Sequence, residues 1–362
     1  MIDVFIRTDS SVQIGIGHVM RCLTLADELR SCRVKVAFIC KKTDGNINHF
    51  IEEKGFTVCE IFGETWKEDA MEVEGFLKRN GGAKWLIVDH YGLDIQWENY
   101  LREHCRRIMV IDDLANRHHD CDLLLDQNYY IGQEYRYKEL VSNRCKQLIG
   151  SGNVLLRSEF RQAAKNIRKR DGSISRILIF MGGSDPANMT TKVLDAIVTL
   201  GSGMNVDVVV GSSNPNRESI LKRCDSLPMV NFYCQTNSMA MLINNADLCI
   251  GAGGTTTWER GVLGLPTLTV VCSDIELQTT LDIAEQDAVW FLGCAHQINV
   301  DDIVAALNLA LRSPNRLREI GNSIVSLLGK VDERERSTSA DFILEEISEN
   351  NGIQSVIRSV KN

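Results

Sequence analysis

The chain has 362 residues, with a hydrophobic content of 44%, a charged content of 24% and a formal net charge of -8. This length is too great for one ordinary core and predicts two domains, while no apolar run reaches the ~20 residues of a membrane span. The acidic balance argues against nucleic acid as a partner, because nucleic-acid phosphates bind to basic surfaces.

The N-terminus and the cysteines both indicate a reducing compartment. Met1 leads almost at once into a strand-like segment, without the pattern of a signal peptide, so we expect a cytoplasmic protein that binds no membrane. The 12 cysteines are scattered without a C-x-x-C pair, and Cys40, Cys249 and Cys272 lie in apolar strand-like runs. We therefore interpret the cysteines as reduced residues of the core.

Strand-like apolar segments alternate with helical patterns along the whole chain, which predicts parallel sheets with helices on both faces. The predicted strands span residues 4–7, 34–40, 85–89, 108–112, 123–126, 177–181, 206–211, 230–233, 248–251 and 267–271. The polar stretch 158–175 contains a basic run at 165–170, which we interpret as a solvated linker helix. We expect domains at 1–160 and 161–345, followed at 346–362 by a helix that could cross back to the first domain.

The first motif is a glycine pair and a histidine between a strand and a helix. Gly15 and Gly17 let the backbone turn sharply, and the helical pattern begins near His18. A helix N-terminus favours an anion, and an imidazole there would face the crevice above the sheet. The alternative is a pair of ordinary turn glycines. A nicotinamide fold is not supported, since Met20 stands at the third glycine position of the dinucleotide fingerprint.

Two further polar stretches follow in the first half. Residues 88–94 end a predicted strand, so their polar side chains either point into the crevice or cap the next helix. Residues 111–128 are rich in carboxylates and contain His118 and His119. Such side chains can bind a metal, but their spacing matches no defined ligand pattern, and we expect no metal.

The second half opens with a glycine-rich turn after its first strand. Gly182, Gly183 and Ser184 precede Asp185 and Pro186, and a helical pattern runs over 187–200. Ser184 or Asp185 is a natural N-cap, and proline is favoured at the first helical position. The same turn would let the backbone approach a phosphate, to which Ser184 could donate a hydrogen bond.

A stronger signal lies at 250–260, where a buried strand leads into Gly253-Gly254 and three threonines that start a helix. Backbone N–H groups and hydroxyls from Gly254 to Thr257 are suited to a diphosphate. Glu259 could accept hydrogen bonds from both hydroxyls of a ribose, or it could simply complement the helix dipole. We expect Trp258 to pack in the core rather than to stack on a base.

These motifs together resemble a known family. The second half is similar to the nucleotide-binding domain of GT-B glycosyltransferases, and the whole chain resembles the PseG hydrolase family up to about residue 290. The stretches that carry the resemblance are 7–9, 14–23, 89–91, 112–113, 155–160, 181–186 and 253–259.

The resemblance implies an α/β fold of GT-B architecture, with two Rossmann-like doubly wound domains facing a central cleft. It also implies that water cleaves the C1–O bond of UDP-2,4-diacetamido-2,4,6-trideoxy-β-L-altrose with inversion and without a metal. UDP and the free sugar, a precursor of pseudaminic acid, would be the products. No cofactor, membrane or nucleic acid is implied, and the only partners are the UDP-sugar and UDP.

The resemblance also assigns residues. His18 falls on the catalytic histidine, and a single imidazole titrating near neutrality is suited to deprotonating one water. The residues implied at the sugar are Arg7, Asp9, Gly15, Gly17, Arg21, Tyr91 and Gln278. Those implied at UDP are Gly183, Ser184, Gly254, Thr255, Thr256 and Glu259.

The sequence departs from the family at two positions, and three other functions stay open. Leu277-Gln278 replaces an Asn-Gln pair, and Asn153 stands where a tyrosine is usual; both changes bear on the sugar. One alternative is a GT-B glycosyltransferase that uses a UDP-activated amino sugar. Another is a hydrolase for a different nonulosonic acid precursor. The third is a nucleotide-sugar binding module without turnover.

Overall fold

The computed structural model describes residues 1–11, 13–201, 203–329 and 334–349. The chain divides into two compact units. Unit 1 consists of Met1–Gln127, Gly132–Leu155 and the C-terminal stretch from Glu335, and unit 2 consists of Asn128–Ile131 and Leu156–Arg334.

Unit 1 is built on a parallel sheet of seven strands in the order β3-β2-β1-β4-β5-β6-β7. Its elements are β1 (Val4–Thr8), α1 (Gly17–Ser31), β2 (Val36–Lys41), α2 (Asn48–Glu53), β3 (Thr57–Ile61), α3 (Trp66–Asn80), β4 (Ala83–Asp89), α4 (Ile95–Leu101), β5 (Cys105–Ile111), β6 (Leu123–Asp126) and β7 (Lys146–Ile149). The central strands are continuous apolar runs because both faces of a doubly wound sheet are covered by helices.

The strand order of unit 1 reverses between β1 and β4, which lie side by side. In their register Thr8 is paired with Asp89, so both strands end at the same level of the sheet. Ligands of open α/β sheets bind beyond the carboxyl ends of the strands at such a reversal. The segments that follow β1 and β4 are therefore the natural place for a site.

Unit 2 has a parallel sheet of six strands in the order β10-β9-β8-β11-β12-β13. Its elements are α5 (Ser158–Ala164), β8 (Arg176–Phe180), α6 (Met189–Leu200), β9 (Asn205–Val210), α7 (Arg217–Asp225), β10 (Val230–Cys234), α8 (Met239–Asn245), β11 (Leu248–Ala252), α9 (Thr256–Val262), β12 (Thr267–Val271), α10 (Ile275–Glu285), β13 (Trp290–Cys294), α11 (Val300–Leu311) and α12 (Pro314–Leu328). Here the order reverses between β8 and β11, so the two glycine-rich turns noted in the sequence follow neighbouring strands.

The last described helix, α13 (Thr338–Glu349), belongs to unit 1. Phe342 lies edge-on to Trp85 with 6.1 Å between ring centroids, and Arg107 forms an ion pair with Glu346 at 3.3 Å. The chain thus joins unit 1 from Glu335 onward, earlier than the helix expected at 346–362. The remainder of that expected segment, from residue 350, lies outside the described residues.

All ten predicted strands are present, with ends shifted by no more than a few residues. Three strands escaped prediction: β3, β7 and β13. Each of them lies at or beside a sheet edge, where polar residues or glycine interrupt the apolar pattern. Along the sequence, unit 1 gives way to unit 2 between Leu155 and Leu156, and the expected boundary was at residue 160.

Two local predictions were wrong. The linker is not a solvated helix over its length, because α5 ends at Ala164 and Arg170 donates to the carbonyls of Ile243, Asn244 and Ala246. A guanidinium has five donors, so it can bind several of the carbonyls left unpaired where a helix ends. The second error was Pro186 as the first helical residue, since α6 begins only at Met189.

The 12 cysteines are all free, as expected, and most of them are buried, although Cys234 is exposed. Within the described ranges, every helix falls short of the length and apolar character that crossing a membrane requires.

Candidate active site

His18 stands in the first turn of α1, directly after the loop that follows β1. Gly15 has a φ of 78°, a left-handed conformation that favours glycine, and its N–H donates to the Ser11 carbonyl at 2.9 Å. This tight turn lets α1 begin at Gly17, with Ile16 at the N-cap. Gly15 and Gly17 are half-buried, whereas the His18 side chain keeps only 7% of its surface exposed.

A buried carboxylate holds the His18 ring. Nδ1 of His18 lies 2.5 Å from Oδ1 of Asp89, the last residue of β4, which is 1% exposed. Arg21, one turn further along α1, donates Nε to Oδ2 and Nη2 to Oδ1 of Asp89, each at 2.6 Å. An ionised Asp89 can only accept, so in the neutral imidazole we assign the proton to Nδ1 and the lone pair to Nε2; Nη2 of Arg21 also lies 3.1 Å from Nδ1, but it donates to Asp89 at the shorter distance of 2.6 Å.

The charges around Asp89 keep it ionised. Burial alone would raise its pKa, but the adjacent Arg21 and His18 lower that pKa well below its usual range. Arg21 is itself 4% exposed and makes a second ion pair, from Nη1 to Asp113 at 2.9 Å. The guanidinium thus ties α1 to the ends of β4 and β5.

Tyr91 covers one side of the imidazole. Its ring meets that of His18 edge to face, with 4.5 Å between centroids and an interplanar angle of 82°. The Tyr91 pKa is raised, chiefly by burial and then by the charge of Asp113, to which its hydroxyl is hydrogen-bonded. The phenol is therefore a neutral packing and hydrogen-bonding group next to His18.

Arg7 and Asp9, which the resemblance assigns to the sugar, lie in a buried ion-pair network. All three guanidinium nitrogens of Arg7 donate to carboxylates, Nη1 to Asp9 at 2.5 Å and Nη2 to Asp69 at 2.6 Å among them. Asp9 also accepts from the Lys41 N–H at 2.6 Å and pairs with His90 at 3.3 Å. Arg7 is 1% exposed and each of its guanidinium nitrogens donates to a carboxylate, so its contacts within the fold are those of a residue that supports the site from below.

The acidic and histidine-rich stretch of unit 1 is occupied by pairwise contacts. His119 bonds Glu98 at 2.6 Å, and Asp112 pairs with Arg117 at 2.9 Å and accepts from the Tyr137 hydroxyl at 3.0 Å. Among the residues that the structure describes, no group of three histidine, cysteine or acidic side chains has the geometry to hold a metal ion.

In unit 2, the turn after β8 is a compact capping structure. Asp185 is 1% exposed, and its carboxylate accepts from the N–H groups of Met189 and Thr190 at 2.8 and 2.9 Å. It therefore satisfies the first N–H groups of α6, but the N-cap residue is Asn188, so the prediction of Ser184 or Asp185 at the N-cap was wrong. The loop after β9 also packs closely on this turn. A Cβ on Gly211 would overlap the Gly183 backbone, which explains why residue 211 is a glycine. Ser184, half-buried, is the hydroxyl that this turn leaves partly accessible.

The turn after β11 exposes the residues expected at a diphosphate. Gly254, Thr255 and Thr256 are half-buried, whereas Gly253 and Thr257 on either side are buried. Gly254 also has a purely structural reason to be glycine, because a Cβ there would lie 2.9 Å from Oε1 of Glu276. Gln278, expected at the sugar, lies exposed on α10 and donates to Asp282 at 2.6 Å.

Glu259 does not stand alone. Both of its oxygens accept from Arg157, at 2.7 Å from Nε and 3.0 Å from Nη2, and the residue is 8% exposed. Trp258 is a core residue, as expected, with 1% exposure and an indole N–H that donates to Asn128 at 3.2 Å.

Four residues that contact the predicted site residues were assigned no role in the sequence analysis. Asp89 was noted only as part of a motif, although its position at the end of the strand beside β1 could have signalled a partner for His18. Arg157 lies far from Glu259 in sequence and had no such signal. The other two are Arg260 and Glu276, which lie against the turn after β11.

Comparison with known proteins places these units in a class. Residues 177–281 match the glycosyltransferase family 28 C-terminal domain. The structure is similar to that of Acinetobacter baumannii MurG, with a TM-score of 0.62 at 12% identity over 95% of this chain and 99% of the other. The protein has the GT-B fold, with one seven-stranded and one six-stranded parallel sheet.

Curated relatives narrow the class to a family. The chain is 30% identical over 250 residues to the UDP-2,4-diacetamido-2,4,6-trideoxy-β-L-altropyranose hydrolase of Campylobacter jejuni, covering 68% of this chain and 83% of that protein. It belongs to the family of that hydrolase, the PseG family. It is also 29% identical over 283 residues to the uncharacterized protein MJ1062 of Methanocaldococcus jannaschii. That match covers 75% of this chain but only 56% of MJ1062.

Proposed function

We propose that the protein hydrolyses UDP-2,4-diacetamido-2,4,6-trideoxy-β-L-altrose to UDP and the free sugar, as a step of pseudaminic acid biosynthesis. His18 is the general base that activates the water, and no metal or cofactor takes part. The family membership supports the substrate, and the environment of His18 supports the chemistry.

The observation that carries the proposal is the bond between Nδ1 of His18 and Asp89 at 2.5 Å. It fixes the tautomer in which Nε2 can accept a proton, and Tyr91 restrains the ring from the side. A carboxylate that orients an imidazole and stabilises its protonated form is the arrangement used by general-base histidines elsewhere. Arg21 keeps that carboxylate ionised, so the proton taken from water stays on His18.

In the proposed step, the water oxygen forms a bond to C1 of the sugar while Nε2 of His18 takes one water proton. The bond between C1 and the phosphate oxygen breaks, and UDP leaves with the electron pair. Attack on the face opposite the leaving group inverts the anomeric centre. UDP leaves as a phosphate anion, so stabilising its charge replaces a general acid.

We assign the UDP side to unit 2. Ser184, Gly254, Thr255 and Thr256 are partly accessible in the two turns after β8 and β11, and their hydroxyls and backbone N–H groups are suited to phosphate oxygens. Glu259, held by Arg157, accepts from the ribose hydroxyls. Gly183 contributes through the backbone geometry of its turn.

The proposal is tested by proton and phosphorus NMR of the purified protein with the UDP-linked altrose derivative, with chelator present and no acceptor. Formation of free UDP and free sugar, with the first-formed anomer inverted, is expected. Intact substrate in a sample that still binds UDP would overturn the hydrolase assignment. A parallel sample with UDP-N-acetylglucosamine reports whether the reaction requires the altrose derivative.

A glycosyltransferase is the second candidate, because the match at residues 177–281 is to a glycosyltransferase domain. An imidazole can deprotonate an acceptor hydroxyl as well as water. The two functions differ in one readout: a transferase leaves the UDP-sugar intact until an acceptor is added, whereas a hydrolase consumes it in buffer alone.

A further inference from the structure

Arg260 is a buried cation beneath the turn that follows β11. The residue is 1% exposed, and it donates to the Ala252 carbonyl at 2.7 Å and to the hydroxyls of Thr256 and Thr257 at 3.1 Å. All three acceptors are neutral. Its Nε has no hydrogen-bond partner within the described part of the chain.

Burying a guanidinium without a carboxylate partner costs free energy, and this cost is reflected in the pKa of the group. Burial lowers the pKa of Arg260, whereas the more distant charges of Glu259 and Glu276 raise it only in part. A bound anion near Arg260 would compensate this charge. The two hydroxyls that accept from Arg260 each keep one hydrogen to donate, and Thr256, which is half-buried, is the one of the two that a bound anion can reach.

Glu276 lies on the opposite side of the same turn. Its Oε2 accepts from the Cys272 N–H at 3.3 Å, and Oε1 lies 2.9 Å from the place of a Cβ on Gly254. The Gly253 backbone also hydrogen-bonds this carboxylate. Burial raises the pKa of Glu276, because its surroundings disfavour the charged form of this carboxyl.

We propose that Arg260 and Glu276 set the charge of this turn in opposite senses: Arg260 stabilises a bound diphosphate through the hydroxyl of Thr256, and Glu276 opposes it because its carboxylate lies beside Gly254, one of the residues assigned to the diphosphate. The inference rests on the proposed function, in which this turn binds the diphosphate of UDP. It gives a chain with a net charge of -8 a buried positive charge with which to hold an anion.

The test compares the affinities of UDP and uridine in two variants at pH 8, where the terminal phosphate of UDP, with a pKa of about 6, is ionised. We expect Arg260→Gln to weaken UDP binding about tenfold and Glu276→Gln to strengthen it about tenfold, as for charge-assisted hydrogen bonds lost or relieved. Uridine, which lacks phosphate, should be unaffected. Calorimetry measures UDP, and ligand-observed NMR measures the weaker uridine.

Matched controls remove the same charges elsewhere in unit 2. Arg312→Gln lies at the end of α11, and Glu285→Gln lies on α10 with Glu276; both residues are exposed, and neither variant should alter UDP affinity. If Arg260→Gln does not fold, the inference is judged by Glu276→Gln alone, which should bind UDP more tightly and uridine as the wild type does.

Opposite shifts for UDP with constant uridine affinity support the inference. Shifts of the same sign, no shift, or equal losses for UDP and uridine overturn it. A wild-type protein that binds no UDP would instead remove the proposed nucleotide function on which the inference rests.

Discussion

Replacing Asp89 by asparagine tests how the His18 base is held. The carboxylate accepts from His18 at 2.5 Å and from two nitrogens of Arg21 at 2.6 Å. An amide has one oxygen, so its NH2 group faces either Nε of Arg21, in place of Oδ2, or both Nδ1 of His18 and Nη2 of Arg21, in place of Oδ1. In the second case Nδ1 must become the acceptor, and the proton moves to Nε2, where the base is required.

We therefore expect Asp89→Asn to lower kcat by about 10²–10⁴-fold, the range supplied by a positioned general base and lost when its tautomer is wrong. UDP affinity should stay unchanged, because the proposed UDP residues are on unit 2. Stability should fall by about 3 kcal/mol, the lower end for breaking a buried ion pair, since Asp113 still pairs with Arg21.

The assay combines UDP release, calorimetric UDP titration and urea unfolding of the same preparations. Asp27→Asn is the control, because Asp27 is also an acidic residue paired with an arginine but is exposed on α1. Turnover of Asp89→Asn within threefold of the wild type would refute the reasoning. So would a loss of UDP affinity equal to the loss of kcat, since that indicates general misfolding.

Further predictions concern His18, Glu259, Trp258 and acid stability. His18→Asn should abolish turnover while UDP affinity is kept. A variant that binds UDP in calorimetry and also hydrolyses the substrate at the wild-type rate would exclude His18 as the general base. Glu259→Ala should weaken UDP binding by about 1–3 kcal/mol, as expected for loss of a buried hydrogen-bonded charge, and 2′-deoxy-UDP should lose correspondingly less; equal losses for both nucleotides would argue against the ribose contact. Trp258→Ala should lower the free energy of unfolding by about 3–5 kcal/mol, and unfolding at the wild-type urea midpoint would contradict its core position. Because the pKa of Asp89 is lowered in the folded chain, its contribution to stability is complete above about pH 4 and is lost as the pH falls further, so Asp89→Asn should show a shallower acid destabilisation than the wild type in urea titrations.

The architecture was predictable because its signals are local. Apolar runs such as Leu123–Asp126 and Thr267–Val271 are read directly from the sequence and match the observed strands residue for residue. The start of α1 at Gly17 followed from the glycines and the helical spacing after them. Edge strands such as Thr57–Ile61 were missed because an edge strand needs no continuous apolar run.

The site was predictable only in part because its contacts are long-range. Asp89 is separated from His18 by 71 positions, and Arg157 from Glu259 by 102, so no spacing rule links them. Arg7 shows a second limit: a motif residue that is chemically suited to a ligand can be buried and paired with carboxylates inside the fold. Burial and partner geometry, which sequence does not give, decide between these roles.

The central claim is that water, deprotonated by His18, attacks C1 of the sugar. Hydrolysis in ¹⁸O-labelled water, followed by mass spectrometry of the UDP, tests it most directly. The account predicts unlabelled UDP from the wild type, because the phosphate oxygen leaves with UDP, and no UDP formation by His18→Asn. Label in the terminal phosphate of UDP would mean that water attacks phosphorus, and it would contradict the account.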